Sequence, residues 1–277
     1  METTTASPTA SKPDKTPISM KKTLKDQRGI LLSTFSVVAV LLLWELISRF
    51  EIIDPLFISS PLAIASAAVV MFGEARFWSD LGISGYEFVV GFGLAVLIGI
   101  PLGVFSGWNK TFYYLVNPYI SAMYVTPRVA LMPVIIIAFG IGPASKIVVV
   151  FLMSLFPIIM NAQRAMHTLD QNLIKSARAF TASEWQIFRT IALPSTVPFL
   201  LTGIRLGIGQ GLIGVVVGEL FASTAGIGFQ LTNAGQNLQT DRMFVGVAVI
   251  AAVGILLTTV VGMIEKHFSS WRPEKEQ

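Results

Sequence analysis

The chain contains no cysteine and only two histidines among its 277 residues. The absence of cysteine excludes disulfide bonds, thiolate metal sites, iron–sulfur clusters and thiol nucleophiles. His167 and His267 are too few for a histidine-rich metal site, and their positions suit no Ser–His–Asp catalytic set. We therefore expect no catalytic residue, no metal site and no cofactor in this chain.

Charged residues are also scarce. They make up 13% of the chain, while hydrophobic residues make up 53%. Soluble domains typically have about 25% charged residues, so this composition excludes an ordinary water-soluble enzyme and predicts a protein of the lipid bilayer. No acidic or basic tract is long enough to indicate nucleic-acid binding.

Stretches without charged residues mark the membrane spans. Each span is close to the roughly 20 apolar residues that a helix needs to cross the hydrocarbon. The transmembrane domain is predicted to cover 29–268, between a disordered basic tail at 1–28 and a C-terminal tail at 269–277. We predict six transmembrane helices at 29–49, 88–109, 117–139, 147–163, 196–222 and 243–264.

Glycines recur every four residues in two of these spans. They are Gly99, Gly103 and Gly107 in the second span, and Gly203, Gly207 and Gly211 in the fifth. Small residues at this spacing allow helices to approach closely in lipid. The spacing leaves open whether each repeat packs within one subunit or between two.

The basic residues are distributed unevenly between the two sides of the membrane. With both termini on one side, that side holds fourteen of the 20 Lys and Arg residues, and the opposite side holds four. The other two, Arg128 and Arg205, lie within spans. Cytoplasmic segments carry the excess of Lys and Arg, so the sequence predicts that both termini are cytoplasmic.

The longest polar segment between spans, 163–195, is therefore predicted to face the cytoplasm. Its apolar residues recur near the helical period, which predicts a helix, a turn, and a second short helix capped by Ser183. We expect the second helix to stop at Leu193, because the residue before Pro194 is disfavoured in a helix. Trp185 and Phe188 on one face indicate a surface that docks another protein, and packing on the chain's own bundle is the equal alternative.

Residues 175–198, KSARAFTASEWQIFRTIALPSTVP, resemble the EAA loop found in the inner-membrane permease subunits of ABC importers. Two departures from that pattern are Lys175–Ser176, where Glu-Ala is usual, and Thr181, where the family has glycine. Glycine would serve a turn with unusual backbone angles. The matching positions are Ala177, Ala182, Phe188, Ile191, Leu193, Pro194 and Pro198.

The resemblance extends to 91–107, 126–146 and 203–229, which are similar to the nitrate/sulfonate/taurine-type branch of these permeases. It implies an all-α, polytopic membrane protein with six transmembrane helices and a cytoplasmic EAA-type coupling loop at 163–195. The residues that it assigns to coupling with an ATPase are Ala177, Arg178, Thr181, Ala182, Ser183, Glu184, Trp185 and Phe188.

The resemblance also implies partners and a location. It places the chain in the cell inner membrane as a homodimer, with two ATP-binding subunits on the cytoplasmic face and an extracytoplasmic solute-binding protein. The permease itself would be a transport subunit and not an enzyme. In agreement, the sequence lacks the G-x-x-x-x-G-K-[ST] pattern that would cradle the phosphates of ATP.

The third and fifth predicted spans contain the charged residues Arg128, Arg205 and Glu219. A charge at membrane depth costs at least about 2.5 kcal/mol, so each needs a partner or a watery cavity. We identify them as candidates for the translocation path, where the arginines would favour a small anion such as a sulfonate, taurine or nitrate. For each arginine the alternative is a structural role, such as pairing with carbonyl groups freed by prolines.

The alternative function is an ion-coupled secondary transporter that acts without an ATPase. Such a transporter would require paired acids buried in the spans. The acids in or near the spans are Glu45, Glu87 and Glu219, and all three lie close to predicted span ends. The sequence therefore favours the ATPase-driven permease, and the two histidines disfavour a membrane-embedded hydrolase.

Overall fold

The computed structural model describes residues 20–221 and 223–268. These residues form helices joined by short turns and contain no β-strand, so the described part of the chain is all-α, as predicted. Two compact units are distinguished, Met1–Pro55 and Leu56–Gln277. The helices are α1 (Met20–Arg49), α2 (Pro55–Ile58), α3 (Pro61–Gly73), α4 (Ala75–Trp108), α5 (Lys110–Val125), α6 (Met132–Phe139), α7 (Pro143–His167), α8 (Gln171–Ala179), α9 (Glu184–Ile187), α10 (Leu193–Phe221), α11 (Ile227–Gln236) and α12 (Thr240–Phe268).

The first unit contains the single long helix α1. Its segment Leu31–Arg49 is long and apolar enough to cross a membrane. The helix begins at Met20, within the predicted tail, because no glycine or proline interrupts residues 20–28. The rest of that tail, 1–19, and the predicted C-terminal tail at 269–277 lie outside the described residues.

In the second unit, α7 packs between α4 and α10. Both glycine repeats lie on the faces that meet α7. A Cβ added at Gly103 would lie 2.5 Å from the Cβ of Ala162, and one added at Gly211 would lie 2.5 Å from the Oγ of Ser154. The helix backbones are too close for any side chain at these positions. Both repeats therefore pack within the subunit.

Five helical segments of the described residues are long and apolar enough to cross a membrane, and a bent pair supplies a sixth if it forms one span. The second span is longer than predicted, because α4 begins at Ala75. Glu87 ends the uncharged window 88–109 in the sequence, but the side chains of Glu87 and of Asp80 before it are both buried on the helix.

The third span is not the single helix predicted at 117–139. It consists of α5 and α6, which are bent by 90° where they meet a 3₁₀ turn at Arg128–Leu131. Thr126 has an extended backbone with ψ of 131°. The ring of Pro127 disfavours the helical conformation at this preceding residue, and this breaks the span.

The predicted helix stop at Leu193–Pro194 is also wrong. The chain is continuously helical over Glu184–Phe221. A π-helical turn at Phe188–Ala192 precedes α10, and the Leu193 N–H donates to the carbonyl of Phe188. Proline lacks an N–H and clashes with a carbonyl group in a regular helix, and the wider π turn accommodates Pro194.

Candidate functional site

Helices α8 and α9 form a helical hairpin within the predicted coupling loop. Ile174 and Ile187 are buried in an apolar cluster that includes residues of α4 and α7. Ala177, Ala182 and Phe188 are partly buried and pack against the same cluster. One side of the hairpin therefore rests on the bundle, which positions the turn between the two helices.

The turn after α8 is a Schellman motif in which threonine replaces the usual glycine. The Ala182 N–H donates to the carbonyl of Ala177 at 3.1 Å, and the Thr181 N–H donates to the carbonyl of Arg178 at 2.9 Å. Thr181 has φ of +60°. This left-handed conformation is unfavourable for a β-branched residue. The chain therefore keeps the turn that a glycine would form, with a strained backbone.

Ser183 caps α9, as predicted. Its Oγ accepts a hydrogen bond from the Gln186 backbone N–H at 3.3 Å, and the Gln186 Oε1 accepts one from the Ser183 N–H at 2.8 Å. This reciprocal pair is a capping box, which satisfies two backbone donors that the first turn of a helix leaves free. It gives the short helix α9 a defined start directly after the turn.

An exposed ion pair joins α8 to α9. The Nε of Arg178 lies 2.8 Å from Oε1 of Glu184, and its Nη2 lies 3.2 Å from Oε2. The hydrogen bonds from Arg178 hold the pKa of the Glu184 carboxyl below its ordinary value, and they raise the pKa of the Arg178 guanidinium. The bidentate geometry joins the end of α8 to the start of α9 across the turn.

The outer side of the hairpin exposes large apolar side chains. Phe180 is 87% exposed, Trp185 67% and Leu173 53%. The ring of Trp185 stacks on that of Phe188 at 5.5 Å, and Phe188 in turn contacts the edge of Trp108. Phe180 and Leu173 are absent from the predicted coupling residues. Both residues belong to the apolar repeat that predicted the helices of this segment. The repeat does not show which apolar residues face outward.

Arg128 lies at the break between α5 and α6. Its Nη1 is 3.4 Å from the carbonyl oxygen of Met153, and its guanidinium lies 5.8 Å from the ring centres of Tyr124 and Phe156. Pro157 has no N–H to donate to the Met153 carbonyl. The arginine therefore contacts a carbonyl group freed by a proline, which is the structural alternative considered from the sequence.

Arg205 pairs with a carboxylate on the last helix. Its Nη2 lies 2.7 Å from Oε2 of Glu265, and its side chain is 42% exposed. The pair lines a cleft of about 580 Å³ together with Thr258, Thr259 and Lys266. Arg205 thus combines a partner with an accessible face.

Glu219 is buried and holds the start of α11. Its Oε1 accepts a hydrogen bond from the Ser84 hydroxyl at 2.6 Å, and its Oε2 accepts one from the Gly228 N–H at 2.5 Å. Asp80 accepts from the Gly226 N–H at 2.9 Å. Acidic side chains stabilise the first turn of a helix, whose N–H groups lack partners in the helix itself.

A buried ion pair near Glu219 was not predicted from the sequence. Glu87 Oε1 lies 3.6 Å from Nζ of Lys146, and the two side chains are 0% and 5% exposed. Asp80, Ser84 and Glu87 follow one another at helical spacing on one face of α4. This spacing was the available signal, but residues 75–87 were not assigned to a helix.

The three predicted path residues contact different helices and do not contact one another. Arg128 contacts α7, Arg205 contacts α12, and Glu219 contacts α4 and α11. Their part in translocation stays a prediction. Over 20–221 and 223–268, no group of three or more His, Asp or Glu side chains is placed to hold a metal ion.

Comparison with known proteins shows the family to which the chain belongs. Residues 99–271 match the family described as binding-protein-dependent transport system inner membrane component. The chain is 31% identical over 252 residues to the taurine transport system permease protein TauC of Escherichia coli (strain K12), covering 89% of this chain and 92% of that protein. It is 28% identical over 249 residues to the putative aliphatic sulfonates transport permease protein SsuC of Bacillus subtilis (strain 168), covering 90% and 89% of the two chains.

More distant similarities agree with this assignment. The nitrate import permease protein NrtB of Leptolyngbya laminosa is 27% identical over 191 residues, covering 69% of this chain and 68% of that protein. A solved inward-facing structure of the MetNI methionine ABC transporter has a TM-score of 0.62 and 19% sequence identity, covering 70% of this chain and 96% of its own. The structural match shows a shared fold.

Proposed function

We propose a mechanism for a chain that belongs to the binding-protein-dependent transport system inner membrane components, the family that residues 99–271 match. The chain is an ABC importer permease of the taurine, sulfonate or nitrate type, and thus a multi-pass transport subunit of the inner membrane and not an enzyme. In this proposal two permeases form a homodimer with all termini in the cytoplasm. Two ATP-binding subunits dock on the cytoplasmic face, and a solute-binding protein docks on the opposite face.

The observation that carries this proposal is the exposed apolar surface of the α8–α9 hairpin. Phe180 and Trp185 are exposed on a segment whose backbone is held by a Schellman turn and a capping box, with an exposed ion pair across the turn. A rigid surface with exposed aromatic residues is typical of a protein-docking site, because little conformational entropy is lost on binding. We assign it, with the predicted coupling residues, to the ATP-binding subunit.

The continuous helical segment Glu184–Phe221 supplies the mechanical link. It has 38 residues, and at about 1.5 Å per residue it extends for roughly 57 Å. Its first turn is α9 in the docking hairpin, and Glu219 near its other end holds the start of α11. Movement of the docked hairpin would therefore be transmitted along α10 to the far side of the bundle. ATP would bias two helix arrangements, one inward-open and one outward-open.

The solute is proposed to be a small anion such as a sulfonate, taurine or nitrate. This follows the named substrates of the relatives and the accessible guanidinium of Arg205. Arg128 and Glu219 remain candidates for the path, although the contacts of both are structural. A measured loss of uptake in Arg205→Leu with unchanged assembly would place Arg205 on the path, and unchanged transport kinetics would exclude it.

Docking is tested by Trp185→Ala and Ala182→Asp in the full chain expressed with its ATP-binding subunits. Truncating a central aromatic residue of an interface costs about 2 kcal/mol, or roughly 30-fold in the dissociation constant. We expect both variants to co-purify poorly with the ATP-binding subunits and to lose solute-stimulated ATP hydrolysis, while the permease stays inserted in the membrane. Trp78→Ala is the matched control, because Trp78 is also exposed but lies outside the hairpin.

Normal co-purification and normal stimulated hydrolysis in both hairpin variants would refute the docking proposal. Equal losses in Trp78→Ala would also refute it, because the effect would then belong to any exposed tryptophan.

The alternative, an ion-coupled transporter without an ATPase, would use paired acids in the membrane. The structure does bring Glu87 and Glu219 together, where they interact with each other and with Lys146. Oε1 of Glu219 accepts a hydrogen bond from Ser84 of α4, and Oε2 accepts one from the Gly228 N–H of α11, which is a structural use of the acid. Vesicles that contain only this chain separate the two functions. The ATPase-driven permease accumulates no solute in response to an ion gradient, and accumulation would establish the alternative.

A further inference from the structure

The exposed side of the α8–α9 hairpin carries positive charges as well as apolar side chains. Lys175 is exposed on α8, between the exposed residues Leu173 and Phe180. Arg189 is exposed about one helical turn after Trp185, so these two side chains lie on the same face of the helix. Each exposed apolar group of the hairpin therefore has a cationic side chain near it along the chain.

These two cations have no acidic partner on the hairpin. Within the described residues, the ion pairs include neither Lys175 nor Arg189. The two acids of the segment 170–192 are already engaged. Asp170 caps the start of α8, where it offsets the partial positive charge of the helix, and Glu184 forms the ion pair across the turn. The hairpin thus presents two positive charges that lack a carboxylate.

The sign of the charge at Lys175 restricts the surfaces that can bind there. In the loop pattern that this segment resembles, glutamate is usual at this position. A binding surface complementary to glutamate would be positively charged and would repel Lys175, whereas a surface that carries carboxylates would attract it. The lysine favours one class of partner surface and disfavours the other, and such differences in affinity give specificity.

Anionic lipid headgroups are the other acidic surface near a membrane protein, but the hairpin extends past them. The helical segment Glu184–Phe221 is roughly 57 Å long, whereas a bilayer with its headgroups is about 40–45 Å thick. The hairpin end of this segment is the polar end, where Glu184, Gln186 and Arg189 are exposed. This end therefore projects beyond the headgroups, where a carboxylate partner belongs to another protein.

We propose that the hairpin selects an ATP-binding subunit whose docking surface is acidic, with carboxylates that contact Lys175 and Arg189 around the site for Phe180 and Trp185. The inference rests on the proposed docking function and adds the chemical class of the partner surface. The exposed aromatic side chains supply most of the affinity. The two cations determine which ATP-binding subunit binds, and how fast.

The test measures how tightly the full chain binds its own ATP-binding subunits at low salt and at about 0.3 M NaCl. The chain is held in nanodiscs of zwitterionic phosphatidylcholine, so that no anionic lipid contributes. Because salt screens exposed charges, binding of the original chain should weaken as salt is added. At low salt, Lys175→Gln should weaken binding roughly threefold and Lys175→Glu at least about tenfold. The double variant Lys175→Gln with Arg189→Gln should bind almost independently of salt.

Two further variants separate charge from apolar contact. Arg164→Gln is the matched control, because Arg164 is exposed at the end of α7, outside the hairpin. It should keep the full salt dependence. Trp185→Ala should bind more weakly at every salt concentration but with the same salt dependence, because it removes apolar contact and no charge.

Salt-independent binding of the original chain, or an unchanged salt dependence in the double variant, would overturn the proposal. A salt dependence that appears only in nanodiscs containing anionic phosphatidylglycerol would also overturn it, because the two cations would then act on lipid.

Failure of this proposal can be distinguished from failure of docking. If binding is independent of salt but is lost in Trp185→Ala, the acidic partner surface is refuted and the docking proposal stands. If Trp185→Ala and Ala182→Asp both bind like the original chain, the hairpin is not the docking site and both proposals are refuted.

Discussion

The α8–α9 hairpin and the polar cluster around α11, formed by Asp80, Glu87, Lys146 and Glu219, place charged side chains in opposite environments. In the hairpin, Arg178 and Glu184 pair in water, with side chains 55% and 60% exposed. In the cluster, Glu219 and Glu87 are buried among α4, α7 and α10. The hairpin instead exposes its apolar residues, Phe180 and Trp185. The two regions thus exchange the usual positions of polar and apolar groups.

This contrast reflects what each region must do. An exposed ion pair contributes little to stability, and exposed apolar side chains beside it are typical of a surface that binds a partner. A buried carboxylate is retained only where donors or cations satisfy it, so each acid in the cluster is tied to another helix. In the proposed mechanism the hairpin binds a partner from outside, whereas the contacts of the cluster hold helices together.

The largest loss of stability is expected when a buried acid of the polar cluster is removed. Glu219→Ala leaves the Ser84 hydroxyl and the Gly228 N–H without an acceptor and removes a neighbour of Lys146. We expect the free energy of unfolding to fall by about 3–5 kcal/mol, measured by thermal or denaturant unfolding of the purified chain.

Glu74→Ala is the control for burial. Glu74 pairs with Arg242 at 2.8 Å, but both side chains are more than a third exposed. Its loss should cost less than about 1 kcal/mol. Equal destabilisation by the two variants would show that burial is not what distinguishes the cluster.

A smaller change in the free energy of unfolding, this time a gain in stability, is expected in the hairpin turn. Thr181→Gly relieves a β-branched residue at φ of +60° and should raise the free energy of unfolding by about 1 kcal/mol. Thr168→Gly is the matched control, since Thr168 directly follows α7 with an ordinary φ of −92°, and glycine there should destabilise the chain. Stabilisation by both glycines, or by neither, would show that strain at Thr181 is not significant.

The smallest effect is expected from the exposed ion pair, and it depends on pH. The pKa of Glu184 is lower in the folded hairpin than its ordinary value, so the pair stabilises the hairpin at neutral pH, and this contribution is lost as the pH falls through the folded-state pKa. Arg178, whose pKa is raised, stays protonated over this range. Hydrogen exchange over 171–187 should be faster in Glu184→Gln than in the original chain near neutral pH.

The same two proteins should exchange equally in acid, and added salt should narrow their difference at neutral pH. A difference that persists unchanged in acid would mean that Glu184 acts through packing and not through its charge.

The hairpin could be predicted closely because its signals are local. The helical repeat, the Ser183 cap and the turn at Thr181 all depend on residues within a few positions of each other. The local rule failed at Pro194, where a π turn keeps the helix continuous. That solution depends on how α10 packs against its neighbours, and no residue near Pro194 signals it.

The polar cluster was hidden for a different reason. Glu87 ends the charge-free window 88–109, and Asp80 lies before it, so the window does not include the first half of α4. Their partners Gly226 and Lys146 come from distant parts of the sequence. Only contacts between helices turn these isolated charges into a satisfied group.

The composition, the apolar runs and the hairpin pattern were enough to determine an all-α membrane protein, the approximate positions of its helices and the family it resembles. These properties depend on the solvent that a segment faces and on neighbours along the chain. The tertiary structure decided which charges meet: Arg205 with Glu265, and Glu87 with Lys146. A helical repeat defines which face of a helix is apolar, but the partner of each charge depends on how the helices are packed and rotated against one another.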